Sequence, residues 1–240
     1  MAQVCVCSTY FTVNDDGELC LIPGSTGLRQ VLTFNSPGTF TFNKADYPWL
    51  ANVKIRVQAG GGGSAGAQAG VGELVAQVGG AGGGYSEGFY AASVLGASES
   101  ITVGDGGIAG TPSADGGNGG NSSFGSLVTA NGGFAGTLGM SSGTSLVTTG
   151  GIAAPLAGAG QITMGGGAGG PALRLSGSEG LGGFGGDSIM GIGGFQRDTT
   201  GIGGAPRGYG SGGGGSVARD GGSAQGNVGA SGIVVVELYA

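Results

Sequence analysis

Val53-Lys-Ile-Arg-Val-Gln58-Ala-Gly-Gly-Gly-Gly63 is where the chain changes character. Up to Gln58 it alternates apolar and polar residues with the period of two that marks a half-buried strand. From Gly60 it has no side chains to alternate. Residues 1–59 hold four glycines, whereas 60 of the remaining 181 residues are glycine. Glycine at one in three suggests collagen, but the spacing has no strict Gly-X-Y period and the chain has only 7 prolines, which excludes a triple helix. Disorder is the other default, and the composition opposes it. The chain is 39% hydrophobic and only 9% charged, the reverse of a disordered segment.

The residues before the switch read as β structure. Val4, Val6 and Tyr10 alternate with Cys5, Cys7 and Phe11, so both faces of the first segment are apolar. That pattern predicts a covered strand or a subunit contact. Asn14-Asp-Asp-Gly17 is a turn signal, and Glu18–Ile22 returns as the second strand of a hairpin. Pro23-Gly-Ser-Thr-Gly27 breaks the chain. Val31–Phe34, Thr39–Phe42 and Val53–Gln58 are further strands, with Ser36-Pro-Gly38 as a tight turn between the first two. Cys5, Cys7 and Cys20 are too few and too close for a disulfide framework and give no zinc tetrad; they read as small strand hydrophobes, with a disulfide formed after release from the cell as the alternative.

Beyond Gly60, glycine runs alternate with short β-like pieces: Tyr85–Ser93, Ser100–Val103, Ser126–Ala130 and Ser145–Thr148. The chain closes on Ile233-Val-Val-Val-Glu-Leu-Tyr239, the strongest strand signal, which is expected to lie beside Val53–Gln58. Extended glycine adopts the three-residue-per-turn polyproline-II helix, whose N–H and C=O groups point outward. Without side chains, many such helices can approach and satisfy one another's backbone groups. The expected fold is therefore all-β, without α-helix: a sandwich carrying a packed bundle of polyglycine/polyproline-II helices. Its parts are an N-terminal β segment (1–30), sandwich strands (31–59), the glycine-rich region (60–231) and a closing strand (232–240).

Composition also narrows function. The chain has no histidine, the commonest general base and metal ligand. Its net charge is −6, with no Lys or Arg between Val57 and Leu173, so the basic stripe of a nucleic-acid binder is missing. Apolar runs within 116–173 stop well short of a membrane span. Met1–Cys7 lacks the cationic region and apolar core of a secretory signal, so the expectation is a chain made in the cytosol. Gly180–Gly185 and Gly208–Gly213 fit G-x-G-x-x-G, but neither opens a helix in a βαβ unit, and at this glycine density the pattern arises by chance. Gly182–Met190 fits a calcium nonapeptide once, without the successive turns such a site needs, so Asp187 reads as a turn residue. Fourteen dispersed acids offer no hydrolase dyad. The expectation is a protein that is not an enzyme and holds no cofactor or metal.

Phe34-Asn-Ser-Pro-Gly-Thr-Phe-Thr-Phe42 followed by Val53–Gly63 resembles the opening of glycine-rich minor tail and tail-fibre-tip proteins of tailed bacteriophages. Gly82–Glu87, Ile101–Gly107, Asn121–Gly133 and the ending Gly229–Tyr239 continue the match. Residues 1–30 do not carry the resemblance, and 136–225 share only composition. A similar strand-and-polyglycine plan in the extracellular domain of anaplastic lymphoma kinase-type receptors implies a jelly-roll-like sandwich. Adhesins at the fibre tips of some large phages imply receptor-reading loops at one end of the bundle. For this chain the resemblance implies a virion tail protein assembled in the host cytoplasm. It would be a homotrimer docked to other virion proteins through its N-terminal segment, with no nucleic-acid partner and no membrane insertion. A capsid-decorating protein and a bacterial surface adhesin are the alternatives.

The candidate contact loops lie late in the chain, where Arg174, Phe195-Gln196-Arg197-Asp198, Arg207 and Tyr209 interrupt the glycine runs. Gly191-Ile-Gly-Gly194 and Gly201-Ile-Gly-Gly204 repeat at a ten-residue offset, which predicts two successive passes flanking the Phe195–Thr200 loop. Arginine and aromatic side chains at loop tips are typical binding anchors, suited to a host-surface glycan or protein. The same residues would equally cap the bundle or face a neighbouring subunit.

Overall fold

A computed structural model of the chain describes residues 11–13, 15–21 and 27–240. The expected strand around Cys5 and Cys7 lies outside these residues, as do Asn14 and Pro23–Thr26. Among the described residues the only helical pieces are two short 3-10 turns, Lys44–Asp46 and Ala92–Val94, and the rest of the regular structure is β.

Val53, Ile55 and Val57 point inward from the strand Asn52–Gln58, and Lys54 and Arg56 point outward, as the alternation predicts. This strand pairs antiparallel with Ile233–Tyr239 over its whole length, Val57 opposite Val234 and Val53 opposite Leu238. Five strands form the first sheet, in the order Ile162–Met164, Tyr85–Ala91, Asn52–Gln58, Ile233–Tyr239 and Leu28–Phe34. Four form the second: Val128–Ala130, Ser122–Phe124, Ser98–Val103 and Gly38–Asn43. The sheets face each other in a sandwich-like arrangement. Phe42, Ile101, Val103, Phe124 and Val128 of one close a core with Val53, Ile55, Val57, Val234, Val236 and Leu238 of the other. Ser36-Pro37-Gly38 is the corner by which the chain leaves the first sheet for the second, because Leu28–Phe34 pairs with Ile233–Tyr239 and Gly38–Asn43 with Ser98–Val103. The N-terminal hairpin pairs Phe11 with Leu21 and Val13 with Leu19, turning at Gly17 with φ +80°. Phe11, Val13 and Leu19 are exposed, and Cys20 is free and half-buried.

The glycine region obeys a rule of three. Gly79 and Gly82 donate to the carbonyls of Gly170 and Gly167, Gly80 and Gly83 to Gly213 and Gly210, and Ala81 and Gly84 to Phe134 and Asn131. Every third N–H faces the same neighbour, the periodicity of a three-residue-per-turn extended helix. The pass 60–66 repeats the rule: Gly60, Gly63 and Gly66 donate to Gly120, Gly117 and Ala114, Gly61 and Ser64 to Ala230 and Asn227, and Gly62 to Ala81. It accepts from Gly107 and Gly110, from Gly133 and Gly136, and from Gly213, which makes six neighbouring passes. These six also bond to one another in a closed ring: Gly117 to Ile108, Gly119 to Gly133, Gly84 to Asn131, Gly80 to Gly213, Ala230 to Ser211 and Gly229 to Gly107. The pass 210–215 is likewise bonded to 60–66, 79–84, 183–186, 194, 204 and 230–231. The bundle is a hexagonal array of extended chains, partly parallel and partly antiparallel. Between its hydrogen bonds, glycine α-carbons sit against carbonyl oxygens, the setting for the weaker Cα–H···O contact.

Two buried glutamines seal the array. Gln58 donates from Nε2 to the carbonyls of Gly83 and Gly84, at 2.9 Å each. Gln77 donates to Met140 O at 3.1 Å and accepts from Gly139 N at 3.0 Å. A second apolar cluster, Leu74, Ala76, Val78, Met140, Ala172 and Val217, lies under the far end of the bundle.

On the outer face of the five-stranded sheet, Arg56 pairs with Glu237, the one ion pair among the described residues. Tyr85 donates to Glu87 and Tyr239 to Glu237, both at 2.7 Å. Burial, then the bond to Glu87, pushes the Tyr85 phenol well above its ordinary value of 10.0. The bond to Glu237 raises Tyr239. A raised phenol favours the folded state wherever the unfolded chain's tyrosine stays protonated. That contribution is complete below pH 10.0 and is lost as pH climbs through the raised folded values. An alkaline titration followed by phenolate absorbance is expected to show a fraction that ionises above the usual phenol range, and Tyr85→Phe is expected to remove most of it. Titration of all tyrosines together would contradict the assignment.

Candidate functional site

The array has two ends. At one, the passes enter the sandwich strands at Gln58, Tyr85, Val103, Ser122, Ala130, Met164 and Ile233. At about 3.1 Å per residue, the pass from Ala59 to Gln68 carries the chain roughly 30 Å away from that core. There it meets a second set of turns. Val71-Gly72 connects the strands Ala67–Gln68 and Leu74–Ala76, which pair with Ser223–Ala224 and Val217–Arg219 around the turn at Asp220. Ser142 Oγ accepts from Gly70 N at 2.7 Å and donates to Glu73 at 2.5 Å. Ser113 Oγ donates to Gln68 at 2.7 Å. The Asp198–Thr200 turn lies beside the same strand, through the bond from Gly201 N to Val217 O.

A groove of about 570 Å³ opens among these turns, lined by Gly72, Thr144, Ser176, Gly177, Ser178, Glu179, Arg219 and Asp220. Backbone bonds fix its walls. Asp220 N donates to Glu73 O and Gly221 N to Gly70 O. Asp220 Oδ1 accepts from Gly72 N at 2.9 Å. Asp220 has φ +46°, the one positive value at a non-glycine among the described residues. Opposite it, Leu175 N and Ser176 N both donate to Glu179 O, and Ser176 Oγ accepts from Ser178 N and Glu179 N. Arg219 has a buried Nε without an acceptor.

The residues singled out from sequence do not form one site. Arg174 is 5% exposed, and its guanidinium donates to Ser145 O, Leu74 O and Ser141 O at 2.7, 2.9 and 2.6 Å. It braces the interior instead of contacting a partner. The two Gly-Ile-Gly-Gly repeats meet only at their ends: the pass 191–195 runs antiparallel to 204–208, with Ile192 paired with Arg207 and Gly204 N donating to Phe195 O, whereas Gly201 pairs with Val217. This separates the candidates along the bundle. Gln196 and Asp198 are exposed near the far turns. Phe195 is 61% exposed on the flank. Arg197 folds back so that its Nε donates to Thr199 O at 3.1 Å. Arg207 and Tyr209 sit at the opposite end of the same passes, where Tyr209 N donates to Met190 O.

Asp187, the residue of the calcium-like pattern, accepts from Gly193 N at 2.7 Å and ends the 182–187 pass. No three His, Cys, Asp or Glu side chains gather as a metal-binding group among the described residues. Sequence reading missed the groove. Asp220-Gly-Gly222 and Ser176-Gly-Ser-Glu179 are legible turn signals, but only the array brings them beside Gly72 and Thr144.

No curated protein matches the chain. A family model described as glycine-rich domain matches residues 35–239, from the edge of the first sheet to the end of the closing strand. With the sandwich and its glycine array inside that span, the chain belongs to the glycine-rich domain family.

Proposed function

We propose that this chain is a structural, non-enzymatic protein of a tailed-bacteriophage virion, placed at the tail tip or fibre and contributing to host-surface attachment. The observation that carries this reading is the far end of the bundle. A stiff array built from backbone bonds holds a set of polar turns about 30 Å from the sandwich, and a presenting surface needs such rigidity. The resemblance of residues 31–135 and 226–240 to phage tail proteins supports the same reading. The exposed apolar residues of the N-terminal hairpin, Phe11, Val13 and Leu19, suit docking to another virion protein or to further copies in a trimer. Many copies on one particle would make weak individual contacts effective through local concentration.

Gold-labelled antibody against the chain, imaged on intact particles, tests the placement. Label at the distal tail, a few per particle, is the expected result. Label spread over the head would replace this reading with capsid decoration. Within the tail reading, Phe195→Ala with Arg197→Ala is expected to lower adsorption to host cells several-fold while particle yield stays unchanged. An equal loss of assembly would make Phe195 and Arg197 subunit contacts.

A further inference from the structure

The far-end groove carries charges that no ion pair among the described residues neutralises. Arg219, Glu179 and Asp220 line one 570 Å³ space, yet none is in an ion pair among the described residues. Their loops are pinned by the backbone bonds described above, Asp220 Oδ1 is held by Gly72 N, and the buried Nε of Arg219 has no acceptor. The volume lies in the range of small-ligand pockets. The lining then selects the ligand. It has no aromatic ring and no large aliphatic side chain, so an apolar ligand or a protein anchor finds no seat. Two carboxylates against one guanidinium leave the groove net negative, which disfavours an anion. Two carboxylates that only accept, a guanidinium that only donates, and the hydroxyls of Thr144, Ser176 and Ser178 that do both are complementary to a ligand dense in hydroxyl groups.

We propose that the groove between Thr144, Ser176–Glu179 and Arg219–Asp220 is a binding site for a neutral saccharide. Glu179 and Asp220 accept hydrogen bonds from vicinal hydroxyls, and Arg219, Thr144 and whichever of the mutually bonded Ser176 and Ser178 hydroxyls is not donating to the other donate to ring and hydroxyl oxygens. The site deepens the attachment reading and rests on it, since a sugar-binding far end serves a protein that meets a cell surface. Its preformed walls reduce the ordering cost of binding, and affinity for a single sugar is expected to be weak.

Saturation-transfer NMR on the full chain tests the site, with methyl glucoside, methyl galactoside and N-acetylglucosamine as probes. Transfer to at least one of the three is expected, falling at least five-fold in Glu179→Gln and in Arg219→Gln. Lys54→Gln, on the outer face of the five-stranded sheet, should leave it unchanged. Glu179 is exposed, so its amide variant keeps the fold, which an unchanged melting temperature verifies. No transfer to any probe overturns the proposal. So does transfer that survives both groove variants, or binding confined to glucuronate or inorganic phosphate, which would mark an anion site. The measurement uses isolated protein, so its failure leaves the particle-labelling result standing, and head labelling leaves the saccharide result standing.

Discussion

Gly62→Ala is expected to destabilise the fold by about 4 kcal/mol or more, the range reserved for severe core lesions. A β-carbon on Gly62 would sit 2.1 Å from Phe134 O and 2.6 Å from its carbonyl carbon. Neither atom belongs to a side chain that can rotate away. Phe134 O already accepts from Ala81 N, and Gly62 itself donates to Ala81 O and accepts from Gly213 N. One methyl group would therefore push apart three passes at the middle of the array. For a chain of this size about 4 kcal/mol corresponds to a fall of roughly 8–16 °C in melting temperature. Gly150→Ala is the matched control. A β-carbon there meets nothing within 4 Å, and its φ lies outside the left-handed region. Alanine at 150 restricts only the unfolded chain, so a gain of about 0.4–1 kcal/mol is expected. Thermal melts of the two variants decide the matter. If Gly62→Ala melts within about 2 °C of the parent chain, about the shift of a 1 kcal/mol change, the close approach of the passes is not what stabilises the fold.

The array's composition, though not its map, was legible in the sequence. The two passes with six neighbours, 60–66 and 210–215, contain only glycine, alanine and serine. The bulky residues fall on outer passes: Ile108, Phe134, Phe195, Ile202 and Val228 are all exposed. Side-chain size therefore sorts inner from outer passes, much as hydropathy sorts the two faces of a strand. Which pass adjoins which is another matter. A glycine run carries no side chain to specify its neighbour, so the pairings are fixed by turn lengths and by where each pass enters the sandwich. The strands could be read better, because Val53–Gln58 and Ile233–Tyr239 present matching apolar faces. The short far-end strands Leu74–Ala76 and Val217–Arg219 gave too brief a pattern, and their pairing depends on passes 143 residues apart in sequence. The groove inherits that difficulty, since residues 72, 144, 176–179 and 219–220 meet only once the array is formed.

Arg174 shows the same limit from the other side, and Arg174→Met should expose it. Between Leu173 and Leu175, in a stretch without other charges, the residue looks like a surface anchor. The fold instead makes Leu173–Arg174 a central strand, paired with Val147–Thr148 on one side and Gly180–Leu181 on the other. Its guanidinium is the planar fork that three inward carbonyls require. Methionine fills similar volume but leaves those carbonyls short of a donor, so a loss of about 3 kcal/mol is expected, roughly 6–12 °C in melting temperature. Lysine retains charge and donors without the fork and is expected to recover only part of that loss. The change also reaches the groove, because Ser141 and Ser145 flank Thr144, and saccharide transfer should weaken at temperatures where Arg174→Met remains folded. An Arg174→Met chain that melts with the parent and retains full transfer would return Arg174 to the surface role its local sequence suggests. A large fall in melting temperature would make it the brace that holds the 141–145 turn in position for the groove.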